Sequence, residues 1–145
     1  MWIERLTTSR TTQAIELAAQ FAEQRHKVLA ENIANVDTPD YATKRLDPAA
    51  FEASLKEALE RGQRTRARRL ELRGNAQFAP GPDGQLRARP VEEPASNVLF
   101  HDGTNVRLEQ LLADVAQNSL SYEVTTSFLR GRFQNLLRAI RGRVE

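Results

Sequence analysis

Between residues 11 and 33 the apolar positions recur at helical spacing. Ala14, Leu17, Ala18, Phe21, Ala22, Val28, Leu29 and Ile33 share one broad stripe, and Glu16, Glu23, Arg25 and Lys27 fall largely outside it. Thr11 or Thr12 supplies an N-cap. The stop is as readable as the start. Asn35 is a residue type that tolerates a left-handed cap, and Thr38 precedes Pro39, which drives it toward an extended conformation and bars the helix from continuing.

A second, shorter helix is predicted from Asp47 as cap and Pro48 at the first helical position, with Phe51, Leu55, Ala58 and Leu59 on one side and Gly62 as its end. Residues 63–96 hold an arginine-rich run and then four of the six prolines. Pro82-Asp83-Gly84 signals a turn closing a small hairpin between Gln77-Phe78 and Gln85-Leu86. Residues 97–100 read as a short strand before a turn at Asp102-Gly103.

The last forty residues carry the strongest pattern. Leu108, Val115, Tyr122, Leu129 and Leu136 recur every seven positions, and Leu112, Phe133 and Ile140 form a second line. Leu111, Val124, Phe128 and Leu137 widen the stripe. A repeat sustained this far predicts one long helix packed as a coiled coil or in a bundle. The second line turns polar at Asn118, Ser119, Thr125 and Thr126, which lowers stability and fixes register. Gly131, costing about 1 kcal/mol inside a helix, predicts close approach of a neighbouring backbone.

The sequence therefore predicts a mainly α-helical chain. Residues 1–36 and 105–145 form long amphipathic helices packed as one elongated unit, and residues 37–104 form an irregular middle with a short helix and a small hairpin. Aromatics are 6% of the 145 residues and mean hydropathy is −0.55, so helix-on-helix packing is favoured over a large compact core. Such helices are marginal alone in water and must bury their stripes against each other or against neighbouring subunits.

Charge and candidate chemistry narrow the function. There is no cysteine, hence no thiolate chemistry or disulfide framework. The N-terminus has no apolar run of the Sec type, and no stretch approaches the ~20 apolar residues of a membrane span. Neither His26 nor His101 stands in a catalytic or metal-binding motif, and Glu23 with His26 reads as two exposed polar residues. No enzyme, metal or cofactor is expected. Arg61, Arg64, Arg66, Arg68 and Arg69 cluster, as do Arg130, Arg132, Arg138, Arg141 and Arg143, so the alternative is a coiled-coil dimer binding nucleic acid or a regulatory partner. Against it, interspersed glutamates bring the middle near neutrality, and no aromatics interleave with the arginines as stacking platforms.

The string LAENIANVDTPDYATKRLD resembles the N-terminal signature of bacterial flagellar rod and hook proteins, Ala-Asn-Ile-Ala-Asn followed by Thr-Pro-Gly-Tyr. Asn32, Ile33, Ala34, Asn35, Thr38, Pro39 and Tyr41 match it, with Glu31 in place of alanine and Asp40 in place of glycine. The stretch from His101 to Arg143, with its long helix and Gly-Arg-Phe, is similar to the C-terminal half of the family's proximal rod subunits.

The resemblance implies a structural subunit of the basal-body rod, polymerising through its terminal helices into a torque-transmitting shaft that crosses the periplasm. It implies self and other rod subunits, a rod-base adaptor and the membrane-embedded ring as partners. It also implies export through the flagellar type III apparatus without a Sec signal. Ala14, Leu17, Phe21, Val28, Leu108, Leu112, Val115, Tyr122, Leu129, Gly131, Phe133, Leu136 and Ile140 are then the packing and assembly residues. The stretch from Asn32 to Tyr41 orients the outer segment.

Overall fold

The computed structural model describes residues 9–82, 84–93 and 103–142. Among these residues three helices and four short strands follow in the order α1 (Arg10–Ala34), β1 (Lys44–Arg45), α2 (Pro48–Thr65), β2 (Phe78–Pro80), β3 (Leu86–Ala88), β4 (Val91–Glu92) and α3 (Gly103–Ile140). The mainly helical class with long terminal helices and a short-stranded middle is the predicted one. The strand expected over residues 97–100 and the turn residue Asp102 lie outside the described residues.

α1 is capped two or three residues earlier than predicted, by Ser9 in place of Thr11 or Thr12, its Oγ accepting the Thr12 N–H at 3.1 Å. α3 runs 38 residues, about 57 Å, against about 37 Å for the 25 residues of α1. The two are antiparallel. The buried Arg25 guanidinium donates to Asp114 at 2.8 Å, and Asn118, one turn farther along α3, donates to the Ala22 carbonyl one turn back along α1 at 2.8 Å.

The main core does not lie between the long helices, as the paired stripes suggest. Leu17, Phe21 and Val28 of α1 bury instead with Leu46, Phe51, Ala58, Leu72, Phe78 and Leu86 of the middle segment. Phe21 stacks on Phe51 with ring centroids 4.2 Å apart, and Phe78 meets both edge-on at 6.3 and 5.5 Å. The α1 stripe is broad because it serves two neighbours. The middle segment is therefore a packed module, although much of it lacks regular structure.

Its backbone is fastened by amide side chains. Gln13 and Gln20, two turns apart on α1, accept the N–H groups of Leu70 and Leu86 at 2.6 and 2.7 Å. Gln77 accepts the N–H of Asp47 at 2.9 Å. The predicted hairpin forms as β2 and β3, with Phe78 opposite Ala88 and Pro80 opposite Leu86. A second antiparallel pair, β1 with β4, sets Lys44 opposite Glu92 and Arg45 opposite Val91; nothing in the local sequence announced it.

Asp47 caps α2 as predicted, accepting the Ala49 N–H at 2.9 Å ahead of Pro48. Gly62 does not end this helix, which continues to Thr65 and stops at Arg66 in the left-handed region, φ 53°. Gly62 is buried within α2, where a Cβ would come within 3.2 Å of the Arg10 side chain. The glycine there answers close approach, not chain reversal.

Candidate functional site

Two features stand out: the junction after α1 and the uncovered length of α3. At the junction Asn32, 2% exposed, turns both its amide nitrogen and its amide oxygen to the returning chain. Its Nδ2 donates to the Lys44 carbonyl at 2.7 Å, and its Oδ1 accepts the Lys44 N–H at 3.0 Å and the Tyr41 hydroxyl at 3.1 Å. The side chain takes the place of a strand neighbour for Lys44. Burial pushes the Tyr41 phenol up from its ordinary value, and the Glu31 carboxylate adds to the effect.

Asn35 ends α1, though not in the left-handed conformation expected of it; its φ is −112°. Its backbone N–H and its Nδ2 both donate to the Glu31 carbonyl, at 3.2 and 2.8 Å, and its own carbonyl accepts the Thr38 N–H at 3.0 Å. The positive φ falls five residues later, at Asp40, φ 60°. With Pro39 before it and the Tyr41 N–H donating to the Thr38 carbonyl at 3.3 Å, this is a type II turn. Asp40 thus occupies the position where the axial-family signature has glycine, and aspartate is among the few side chains that accept that geometry. The other departure is also accommodated, since Glu31 accepts a hydrogen bond from Lys44 Nζ. Ile33 and Ala34 complete the last turn of α1, Ile33 half-buried and Ala34 exposed.

Beside the junction lies a groove of about 720 Å³ whose lining includes Leu29, Asn32, Leu111 and Gln117. Its charged groups are largely engaged, Arg25 with Asp114 and Arg45 with Glu93. Glu23, a candidate partner of His26, instead accepts from Lys27 at 2.8 Å.

On α3 the structure divides the heptad residues. Leu111 and Asn118 are buried, Leu108, Val115, Leu129 and Leu136 are half-buried, and Tyr122 is exposed. Leu112, Phe133 and Ile140, the second line, are 53%, 45% and 62% exposed, as are Leu120, Val124, Phe128 and Leu137 in similar measure. Ala14 is buried on α1 beside the core residues Leu17, Phe21 and Val28. Among the described residues outside its own helical turns, nothing comes within 4 Å of a Cβ placed on Gly131, so the close backbone approach expected there is not made within them. Thr125 and Thr126 return their hydroxyls to carbonyls of α3 itself, whereas Asn118 reaches α1; Ser119 is exposed. Arg25 was missed as a buried residue although it stands four residues after Phe21 and three before Val28, within the stripe; what the sequence gives no sign of is its partner Asp114, 89 residues away.

The chain is 30% identical over 130 residues to the flagellar basal body rod protein FlgB of Borrelia hermsii, covering 85% of this chain and 92% of that protein. The chain belongs to the FlgB family. Its FlgB relatives include that of Escherichia coli (strain K12), 29% identical over 85% of this chain and 87% of the relative, and that of Bacillus subtilis (strain 168), 25% identical over 92% and 95%. No family model and no solved structure matches the chain. The expectation of a structural rod subunit, drawn from the Asn32–Tyr41 string and the long C-terminal helix, accords with these FlgB proteins, which give no support to the nucleic-acid alternative. Among the described residues no helix is long and apolar enough to cross a membrane.

Proposed function

We propose that this FlgB-family chain is a non-catalytic subunit of the proximal flagellar rod, polymerising through its terminal helices into the drive shaft. The observation that carries the reading is the apolar length of α3. Beyond Asn118, Leu120, Phe128, Phe133, Leu137 and Ile140 are all at least 45% exposed, a stretch that an isolated subunit cannot bury and a bundle of subunits can. Residues 1–36 and 105–145 form the shaft unit, with Ala14, Leu108, Val115, Tyr122, Leu129, Phe133, Leu136 and Ile140 as packing positions. The module of residues 37–104 faces outward, aimed by the Asn32–Tyr41 junction.

In that role the partners are other copies, other rod subunits, and a rod-base adaptor with the membrane-embedded ring. The type III apparatus exports the chain into the rod across the periplasm. Nucleic acid has no part in it.

Hydrogen exchange on dilute protein tests the reading. Amides of residues 120–140 should exchange freely in the free chain and become protected in isolated basal bodies. Leu129→Asp and Leu136→Asp should leave expression intact and abolish swimming, since an aspartate buried in an apolar seam is strongly destabilising. Full protection of 120–140 in a closed soluble dimer, or normal swimming of both variants, overturns it.

A further inference from the structure

After Arg107 in its first turns, the charge along α3 changes sign once. Residues 108–123 carry Glu109, Asp114 and Glu123 and no cation, while residues 124–142 carry Arg130, Arg132, Arg138 and Arg141 and no acid. Asp114 is taken by Arg25. Glu109, Glu123 and the four arginines are exposed and form no ion pair among the described residues.

The placement of these groups is ordered. Glu109, Leu112, Ala116, Leu120 and Glu123 line the outer face of α3, away from the side where Leu111 and Asn118 are buried against α1. Eighteen residues farther on, the same intervals fall on Ser127, Arg130, Gln134, Arg138 and Arg141, all exposed. Eighteen residues are five helical turns, so both sets occupy one side of the helix. That side is acidic with uncovered leucines in its first half and basic in its second.

We propose that this face forms a head-to-tail contact between copies of the chain, parallel and staggered by about 27 Å. The acidic, leucine-bearing half of one α3 lies along the basic half of the next. Glu123 then stands at the level of Arg141, and Glu109 lies one turn from the level of Arg130. The methylene stems of Arg130 and Arg138 cover Leu112 and Leu120 of the neighbour.

The charges select the stagger. A parallel contact in register sets arginines against arginines, which repels. An antiparallel contact matches the signs but closes as a two-fold dimer, whereas a shaft needs a contact that repeats. Exposed ion pairs are screened by salt, so they fix register more than they add affinity. The inference rests on the rod reading and names the face through which copies repeat.

The chain has no cysteine, so the double variant Ala116→Cys with Gln134→Cys reports the contact without background. Both positions are exposed and eighteen residues apart. Oxidation of basal bodies built with it should give a ladder of dimers, trimers and larger products, and each single variant should give none. Dimers alone, or no cross-link in basal bodies that contain the chain, overturn the proposal while leaving the rod reading intact. Absence of the chain from basal bodies overturns both. Charge exchange supplies a second check. Replacing Arg130, Arg138 and Arg141 with glutamate should reduce swimming at least tenfold, and adding Glu109→Arg and Glu123→Arg should restore most of it. Failure of that rescue in a chain of unchanged helicity counts against the stagger.

Discussion

Asn118 is buried in α3 and donates its amide to the Ala22 carbonyl of α1 at 2.8 Å. A mid-helix carbonyl already serves its own helix, so this bond adds little to stability. It does single out one register between two long antiparallel helices, which is the best-attested use of a buried asparagine. Asn118→Leu should hold or raise the thermal midpoint, because a similar volume becomes apolar, and yet reduce swimming several-fold as the α1–α3 register loosens. A fall of more than about 3 °C, roughly 1 kcal/mol in a chain this size, would instead make the bond a stabilising element.

The turn at Asp40 gives a graded test. Its φ of 60° lies where a Cβ is crowded by the following carbonyl, at a cost of about 1–2 kcal/mol for most residues. Glycine escapes the clash, asparagine resembles aspartate, and a β-branched side chain suffers most. Chemical denaturation should therefore rank Asp40→Gly and Asp40→Asn near the natural chain, with Asp40→Ala below and Asp40→Val lowest by about 2 kcal/mol. Equal stability of the valine and glycine variants would mean that the turn does not hold this geometry in solution.

Local chemistry was legible in the sequence, and long-range closure was not. Periodicity found both long helices, Asp47-Pro48 found the start of α2, and Pro82-Asp83-Gly84 found the hairpin, because each signal lies within a few residues of its effect. The Asn32–Tyr41 string marked the junction before its bonds were known. What could not be read were partners far along the chain. Gln13 and Gln20 look like solvent-facing residues, yet each accepts a backbone N–H from 57 and 66 residues away. Arg25 looks polar and is buried by Asp114. Phe21, Phe51 and Phe78 belong to three separate segments, and only folding shows that they form one cluster. Gly62 was read by the commoner habit of glycine, to stop a helix, whereas it lies inside α2 against the Arg10 side chain.

Junction chemistry also predicts a pH dependence. The folded chain holds the Tyr41 phenol above its ordinary value of 10.0, first through burial and then through Glu31. A pKa raised on folding favours the fold fully below the unfolded value, and that contribution is lost as pH rises through the folded one. Lys44 titrates in the same direction, raised first by its hydrogen bond with Glu31. Tyr122→Phe leaves Tyr41 as the only tyrosine of the two. In that background the tyrosinate absorbance should appear above pH 10, and junction amides should lose exchange protection over the same range. Adding Glu31→Gln should bring the titration part of the way back toward the ordinary value. Titration at the ordinary value with Glu31 intact would show that the hydroxyl is not buried beside that carboxylate.

Gly62 poses a question of sign. Glycine within a helix costs about 1 kcal/mol against alanine, and Gly62 is inside α2. An added Cβ would stand 3.2 Å from Cδ and 3.3 Å from Nη1 of Arg10, closer than comfortable contact. Both obstructing atoms belong to a long flexible side chain, and Nη1 is buried without a hydrogen-bond partner among the described residues, so its displacement breaks no bond within them. The helical gain therefore outweighs the steric cost. Gly62→Ala should stabilise the chain by up to about 1 kcal/mol, raising the denaturation midpoint without changing its slope. Gly62→Leu should reverse the effect, because a larger group must push Arg10 away and separate the start of α1 from the end of α2, overpacking that costs about 1–3 kcal/mol. Destabilisation by alanine itself would mean that Arg10 is held rigidly against α2.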